Sequence, residues 1–202
     1  MSSTYPPITT PTMIPPSDPC SDGYMSGRSE VLWNLPNTYQ DVLSVIGSYQ
    51  NLTWSGNPPD TVTLNGTDNT VGTARVYNTA GAHVIETILV YQKPVDGPYV
   101  EIHSVAPLTV PSAGNVSFYA AFDGTTVTPI CGGRATAWNF TANFCATNVS
   151  VGMSVLDMLH TNDVMTECKQ NIYSDGYGDG NDVHGGDRNT VQYGSPGDDE
   201  FG

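Results

Sequence analysis

Basic side chains are scarce here, with six Lys and Arg against twenty Asp and Glu, so a basic group inside an apolar run is conspicuous. Arg75 lies in the run Val71–Asn78 and shares a strand face with Tyr77, while Glu86 lies in the next run, Val84–Gln92, across a short turn. Strand alternation would set the guanidinium beside that carboxylate. An Arg held in this way can donate hydrogen bonds to a carbonyl or to the enolate that develops from it. His103, inside Val100–Val105, is the most sheltered histidine and could donate or shuttle a proton. His83 falls at a turn and His160 on the last helical stretch; Tyr91, Tyr99 and Tyr119 are further hydroxyl donors. Arg75, Glu86 and His103 form the candidate catalytic set. The competing readings are a surface Arg75–Glu86 pair worth under about 1 kcal/mol and an outward-facing His103.

Other chemistries lack their residues. Gly-x-Ser-x-Gly, P-loop and dinucleotide fingerprints are absent. No Cys-x-x-Cys or Cys/His cluster has zinc spacing, so neither metal nor cofactor is expected. A net charge of −14 disfavours nucleic acid and anionic membrane surfaces. No apolar run is long enough for a membrane span. The expected partner is a hydrophobic small molecule; the oligomeric state is open, a homodimer included.

Five sequons, at Asn51, Asn65, Asn115, Asn139 and Asn148, accompany four cysteines, Cys20, Cys131, Cys145 and Cys168. Together they suggest maturation in an oxidising secretory compartment or outside the cell. Chance sequons in a chain rich in Asn, Thr and Ser are the alternative, and Met1-Ser-Ser-Thr-Tyr-Pro-Pro lacks the basic and apolar regions of a signal peptide. Four cysteines allow three connectivities. The simplest pairs Cys131 with Cys145, at the turn and on the strand that follows it, leaving Cys20 and Cys168 to staple the ends of the folded region.

A chain of 202 residues suits one domain. Residues 1–19, rich in Pro, Ser and Thr, read as an extended lead, and residues 174–202 as a disordered acidic Gly/Asp tail without the register of a calcium loop. The folded part, 20–173, opens with a strand at Glu30–Leu35 and a helix capped by Thr38, whose apolar face is Val42, Val45, Ile46 and Tyr49. Six β segments follow: Thr61–Leu64, Val71–Asn78, Val84–Gln92, Tyr99–Ala106, Val116–Phe122 and Ala135–Ala146. Their Gly- and Asn-bearing breaks predict an antiparallel meander. A final helix over Val151–Cys168 closes the domain.

This order resembles the START-like helix-grip superfamily, which includes small polyketide cyclases and plant hormone-binding proteins. Val31-Leu-Trp-Asn-Leu-Pro with the stretch Tyr39 to Trp54 looks like the family's opening strand, helix and tryptophan-ended loop. Val71-Gly-Thr-Ala-Arg75 and Gly81-Ala-His-Val-Ile-Glu86 are similar to its Val-Gly-x-x-Arg strand, glycine turn and Val-x-Glu strand. The match covers about residues 30–170. The cysteines, sequons and both tails depart from the family's cytosolic pattern. Cysteine-bearing proteins of this kind also look similar to fungal natural-product cyclases, including hetero-Diels–Alder enzymes.

The resemblance implies an α+β fold, a curved antiparallel sheet around a long C-terminal helix with an internal hydrophobic cavity. A glycan-bearing Asn cannot face a core. Outward Asn139 therefore turns Trp138, Phe140 and Phe144 inward, and outward Asn115 turns Val116, Phe118 and Phe122 inward. Tyr77, Tyr91, Phe118, Tyr119, Trp138 and Phe140 are the candidate substrate contacts, with Trp138 and Phe118 as walls. Two functions suit such a site. One is a cofactor-independent cyclase acting on a polyketide or terpenoid intermediate, by cyclisation or cycloaddition; the other is a carrier of a lipid-like molecule. Arg75, Glu86 and His103 converging on the cavity favours the enzyme, and their facing outward favours the carrier. A filled core would instead suit a structural glycoprotein.

Overall fold

The computed structural model describes the backbone of residues 20–174 and the side chains of residues 20–161. The expected lead and, apart from Ser174, the acidic tail lie outside these residues. Strand β1 (Met25–Leu35) leads to helix α1 (Tyr39–Ile46), then β2 (Thr63–Asn65), β3 (Ala74–Thr79), β4 (Ala82–Gln92), β5 (Tyr99–Val110), β6 (Val116–Ile130) and β7 (Ala135–Ala146), and helix α2 (Val149–Ser174) ends the described chain. The strands form one seven-stranded sheet in the order β1-β7-β6-β5-β4-β3-β2, every neighbour antiparallel.

Local chemistry explains the boundaries. The Thr38 hydroxyl accepts the Asp41 amide and the Asp41 carboxylate accepts the Thr38 amide, a reciprocal cap that starts α1. The helix stops at Ile46 because Gly47 turns the chain, so Tyr49 is fully buried beyond the helix and not on its face. The β3–β4 hairpin turns on Ala80 and Gly81, both at positive φ (50° and 79°), the two-residue geometry that matches strand twist. The sequence expectation placed Val71 and Thr73 in β3. In the structure Val71 stands 60% exposed in the preceding turn.

Register shifts interrupt the ladder between Ile88 and Val90, between His103 and Leu108, and between Ala120 and Phe122. Such extra residues bend and twist a sheet. The last of them reverses the facing of β6. Phe118 and Ala120 are buried on the inner face before it, whereas Asp123 and Val127 are buried after it. Phe122, expected inward, is displaced from that face, and β6 continues eight residues past the expected end to Ile130.

The inner face carries two apolar clusters. One gathers Leu35, Val42, Ile46, Trp54, Tyr99, Val127, Trp138 and Phe140 beneath α1. The other gathers Val84, Val105, Leu108, Val110, Phe118, Phe144 and Leu156 beneath α2. Burying each large side chain contributes about 1.5–3 kcal/mol. Phe144 needs Gly27 opposite, where a Cβ would strike its ring. α2 packs on β1, β6, β7 and the short turn Thr53–Ser55, and the Ser29 hydroxyl donates to Asp157 at 2.5 Å. Among the described residues no helix is long and apolar enough to cross a membrane. Asn65, Asn115 and Asn148 are exposed, while Asn51 and Asn139 are half-buried.

The disulfide joins Cys20 to Cys145, 125 positions apart in sequence, with Cα atoms 5.6 Å apart. This replaces both expected pairings. Cys131 and Cys145 lie toward opposite ends of β7, so their closeness in sequence does not bring them together, and Cys131 is an exposed free thiol. Cys20 reaches Cys145 because β1 runs back along β7, pairing Met25 with Ala146. The side chain of Cys168 lies outside the described residues. In the loop-entropy account, cleaving so long a loop costs about 5 kcal/mol. Reduction, or Cys20→Ser, should lower the urea midpoint accordingly, while native Cys131 takes up a maleimide; an unchanged midpoint would show that the bond does not restrain the fold.

Candidate active site

Alternation on β3, β4 and β5, with the reversed phase of β6, turns five charged residues to one place. Arg75, Glu86, Glu101, His103 and Asp123 are all under 9% exposed, and α2 brings His160 to them, equally buried. All six line a cavity of about 110 Å³, whose apolar walls include Trp54, Val84, Phe118, Phe140 and Leu156. A sealed cavity of about 150 Å³ accommodates benzene; this one is smaller but partly open, so it admits at most a small ring or a short chain. The expected apolar cavity with a few polar groups is instead an ionic cluster between two apolar ends.

Arg75 is committed on several sides. Its Nε donates to Glu86, Nη1 donates to the Tyr49 carbonyl at 3.2 Å, and Nη2 lies 4.0 Å from Glu101. The guanidinium also sits 4.1 Å over the Tyr49 ring. Tyr77 donates its hydroxyl to Glu86 at 2.9 Å and Tyr99 donates to Glu101 at 2.8 Å. The imidazole of His103 is oriented by Nδ1, 3.1 Å from Glu101 Oε1. Its Nε2 stands between Glu86 Oε1 at 3.6 Å and Asp123 Oδ2 at 3.8 Å. Asp123 Oδ1 faces His160 Nε2 at 3.6 Å.

Burial alone would raise all three carboxyls. Arg75 and His103 outweigh it at Glu86, holding that group well below its usual range. His103, Arg75 and the Tyr99 hydroxyl likewise lower Glu101, and His160 with His103 lowers Asp123. Burial would favour the neutral ring of His103, but Glu86, Glu101 and Asp123 lift it to about 10, so it is an imidazolium at neutral pH. Burial raises the Tyr49 and Tyr99 phenols, which stay protonated. The cluster therefore offers an N–H acid at His103 Nε2 amid fixed carboxylates.

Of the sequence-derived residues, the structure brings Arg75, Tyr77, Glu86, His103, Phe118 and Phe140 to the cavity. Three do not reach it. Tyr91 donates to the Gly47 carbonyl at 3.3 Å and so anchors the end of α1. Tyr119 lies on the opposite face from Phe118, where its hydroxyl accepts the Ser21 amide. Trp138 is fully buried behind Phe140, stacked on it at 5.0 Å, and supports the wall without forming it. Glu101 and Asp123 were not anticipated. Glu101 has the same parity as His103, a usable signal; Asp123 is turned inward by the bulge, which sequence did not show.

A curved antiparallel sheet holding a C-terminal helix across its inner face is the helix-grip fold, and comparison with known structures agrees. A protein from Nitrosospira multiformis superposes with a TM-score of 0.53 at 12% identity, over 71% of this chain and 94% of that one. An uncharacterised protein from Bacillus thuringiensis gives 0.50 at 12% identity, over 74% and 100%. Norcoclaurine synthase from Thalictrum flavum, solved with dopamine and hydroxybenzaldehyde, gives a looser likeness, 0.48 at 9% identity over 76% and 91%, which carries no functional weight. No protein-family model and no curated protein matches the sequence.

Two outcomes follow from the cluster. Arg75→Met leaves Glu86 and Glu101 to share the single His103 cation and should cost about 3–5 kcal/mol in urea unfolding; a loss below about 1 kcal/mol would mean the pair is effectively solvated. The His103 contribution to stability is complete below its unfolded value of 6.5 and is lost as pH rises through about 10. The carboxylate contributions are present above 4.5 for Glu86 and Glu101 and above 3.8 for Asp123, and are lost as pH falls. The urea midpoint should therefore decline between pH 6.5 and 10. His103→Gln should remove that decline, and a slope that survives the substitution would exclude His103 as its source.

Proposed function

We propose that this protein is a cofactor-independent cyclase that binds a hydrophobic, carbonyl-bearing small molecule and promotes its ring closure. The observation that carries the reading is the convergence of Arg75, Glu86 and His103 on one cavity. A carrier gains nothing from five buried charged groups, whose desolvation is costly. An enzyme gains a preorganised field in which a hydrogen bond to developing charge is worth far more than in water. His103 Nε2 is the group that meets the carbonyl oxygen, between Glu86 and Asp123. Glu101 holds its ring, and Arg75 acts through the carboxylates as a positioning residue. Phe118 and Phe140 set the shape in which the chain folds before closure.

The same N–H would also activate the oxygen of a heterodiene, so a hetero-Diels–Alder closure is the special case in which no proton is transferred. A polyketide or terpenoid larger than one ring requires the gap between α2 and the β3–β4 turn to widen, since Thr79, Ala80 and Leu159 border the cavity. The Cys20–Cys145 disulfide supports maturation in an oxidising compartment, where the sequons would be glycosylated.

Incubation with a hydrophobic extract of the producing organism, followed by mass spectrometry, tests the reading. A compound should be converted into an isomer of equal mass, and His103→Gln should slow this by about 10²–10³-fold. A compound retained unchanged by both proteins would identify a carrier instead.

A further inference from the structure

We infer that Asp123 is a ligand-binding residue that selects for a hydroxyl group: its Oδ2 accepts a hydrogen bond from a hydroxyl on the carbon next to the ligand's carbonyl, while His103 Nε2 donates to the carbonyl oxygen. This rests on the carbonyl reading proposed above and narrows its substrate class to α-hydroxy ketones and aldehydes.

The three buried carboxylates are unequally supplied with donors. Glu86 accepts from Arg75 Nε at Oε2 and from the Tyr77 hydroxyl at Oε1. Glu101 accepts the Tyr99 hydroxyl at Oε2, and its Oε1 lies 3.1 Å from His103 Nδ1. Asp123 Oδ1 faces His160 Nε2 at 3.6 Å. Its Oδ2 is worse served, because its nearest donor among the described residues is His103 Nε2 at 3.8 Å, beyond direct hydrogen-bond contact. Burial would raise this carboxyl, but His160 and His103 lower it, so it is an acceptor without a proton of its own.

His103 is short of an acceptor in the same place. Nδ1 is held by Glu101, whereas Nε2 has Glu86 Oε1 at 3.6 Å and Asp123 Oδ2 at 3.8 Å, neither in direct contact. A donor and an acceptor thus stand side by side, both on residues that line the cavity and both under 9% exposed. A buried charged group short of its hydrogen bond is costly, and here the missing partners can come from whatever fills the cavity.

The complement is a ligand with an acceptor and a donor on neighbouring carbons. A plain ketone satisfies Nε2 and leaves Oδ2 against hydrocarbon. An ammonium would satisfy Oδ2 but stand beside the His103 and Arg75 cations, and a carboxylate would face three of its own kind. A neutral hydroxyl beside a carbonyl meets both groups with no added charge, and its carbon skeleton lies toward the Phe118 and Phe140 walls.

Amide NMR titrations of the oxidised protein with 2-hydroxycyclohexanone, 2-methylcyclohexanone and cyclohexanone test the assignment. Methyl and hydroxyl are close in size, and an apolar cavity without an acceptor would favour the methyl. The wild type should instead bind the hydroxy ketone at least about 10-fold more tightly than the methyl ketone. Asp123→Asn should abolish that preference, His103→Gln should weaken all three ligands, and circular dichroism reports whether each variant folds. If Asp123→Asn does not fold, the wild-type comparison decides alone. Equal binding, or a preference for the methyl ketone, overturns the inference, and loss of all three ligands in His103→Gln then leaves the His103 reading standing. A hydroxyl preference that survives in folded Asp123→Asn overturns the assignment to Asp123. Binding of none of the three by the wild type overturns the inference together with the carbonyl reading beneath it.

Discussion

Three carboxylates are buried in the middle of the sheet, and the fold accommodates them because each lies beside a cation there. Arg75 comes from β3, Glu86 from β4, Glu101 and His103 from β5 and Asp123 from β6. Compensation thus couples four adjacent strands. A slip of one residue between any two would send a charge to the outer face and leave its partner stranded inside. Apolar burial would tolerate several registers; the ionic cluster allows one.

The cluster also divides the interior. One apolar group lies under α1 and another under α2, and Tyr77 touches both. A ligand in the cavity meets charge at its centre and hydrocarbon toward either end. This selects molecules by where their polar group sits as much as by overall hydrophobicity, since an apolar centre would leave Glu86 and Asp123 facing hydrocarbon, and a polar end would press against Phe118 or Trp54.

Much of this was legible in the residues. Two-residue periodicity and turn signals marked all seven strands, and the Arg75–Glu86 pairing is the direct register partner across the β3–β4 hairpin. What escaped were features set by strand order and irregularity. Cys20 meets Cys145 because the last strand inserts between β1 and β6, a relation no local spacing encodes. Asp123 faces inward because one extra residue resets β6, whereas simple alternation from Phe118 through Phe122 placed it outside. Tyr91 and Tyr119 resembled site residues by type, yet each hydroxyl serves a backbone group nearby. The side chain of His160 gained meaning only when α2 was laid over the cavity.

The disulfide has a topological consequence. The covalent ring it closes runs from Cys20 to Cys145 and contains α1 and all seven strands, apart from the last residue of β7, while α2 begins at Val149, outside it. The crosslink removes freedom from the unfolded sheet but none from the helix. Lifting α2 away therefore carries the same free-energy cost whether the bond is oxidised or reduced. The molecule is a locked shell with an unlocked cover: oxidation can make the sheet durable without making the cavity any harder to enter.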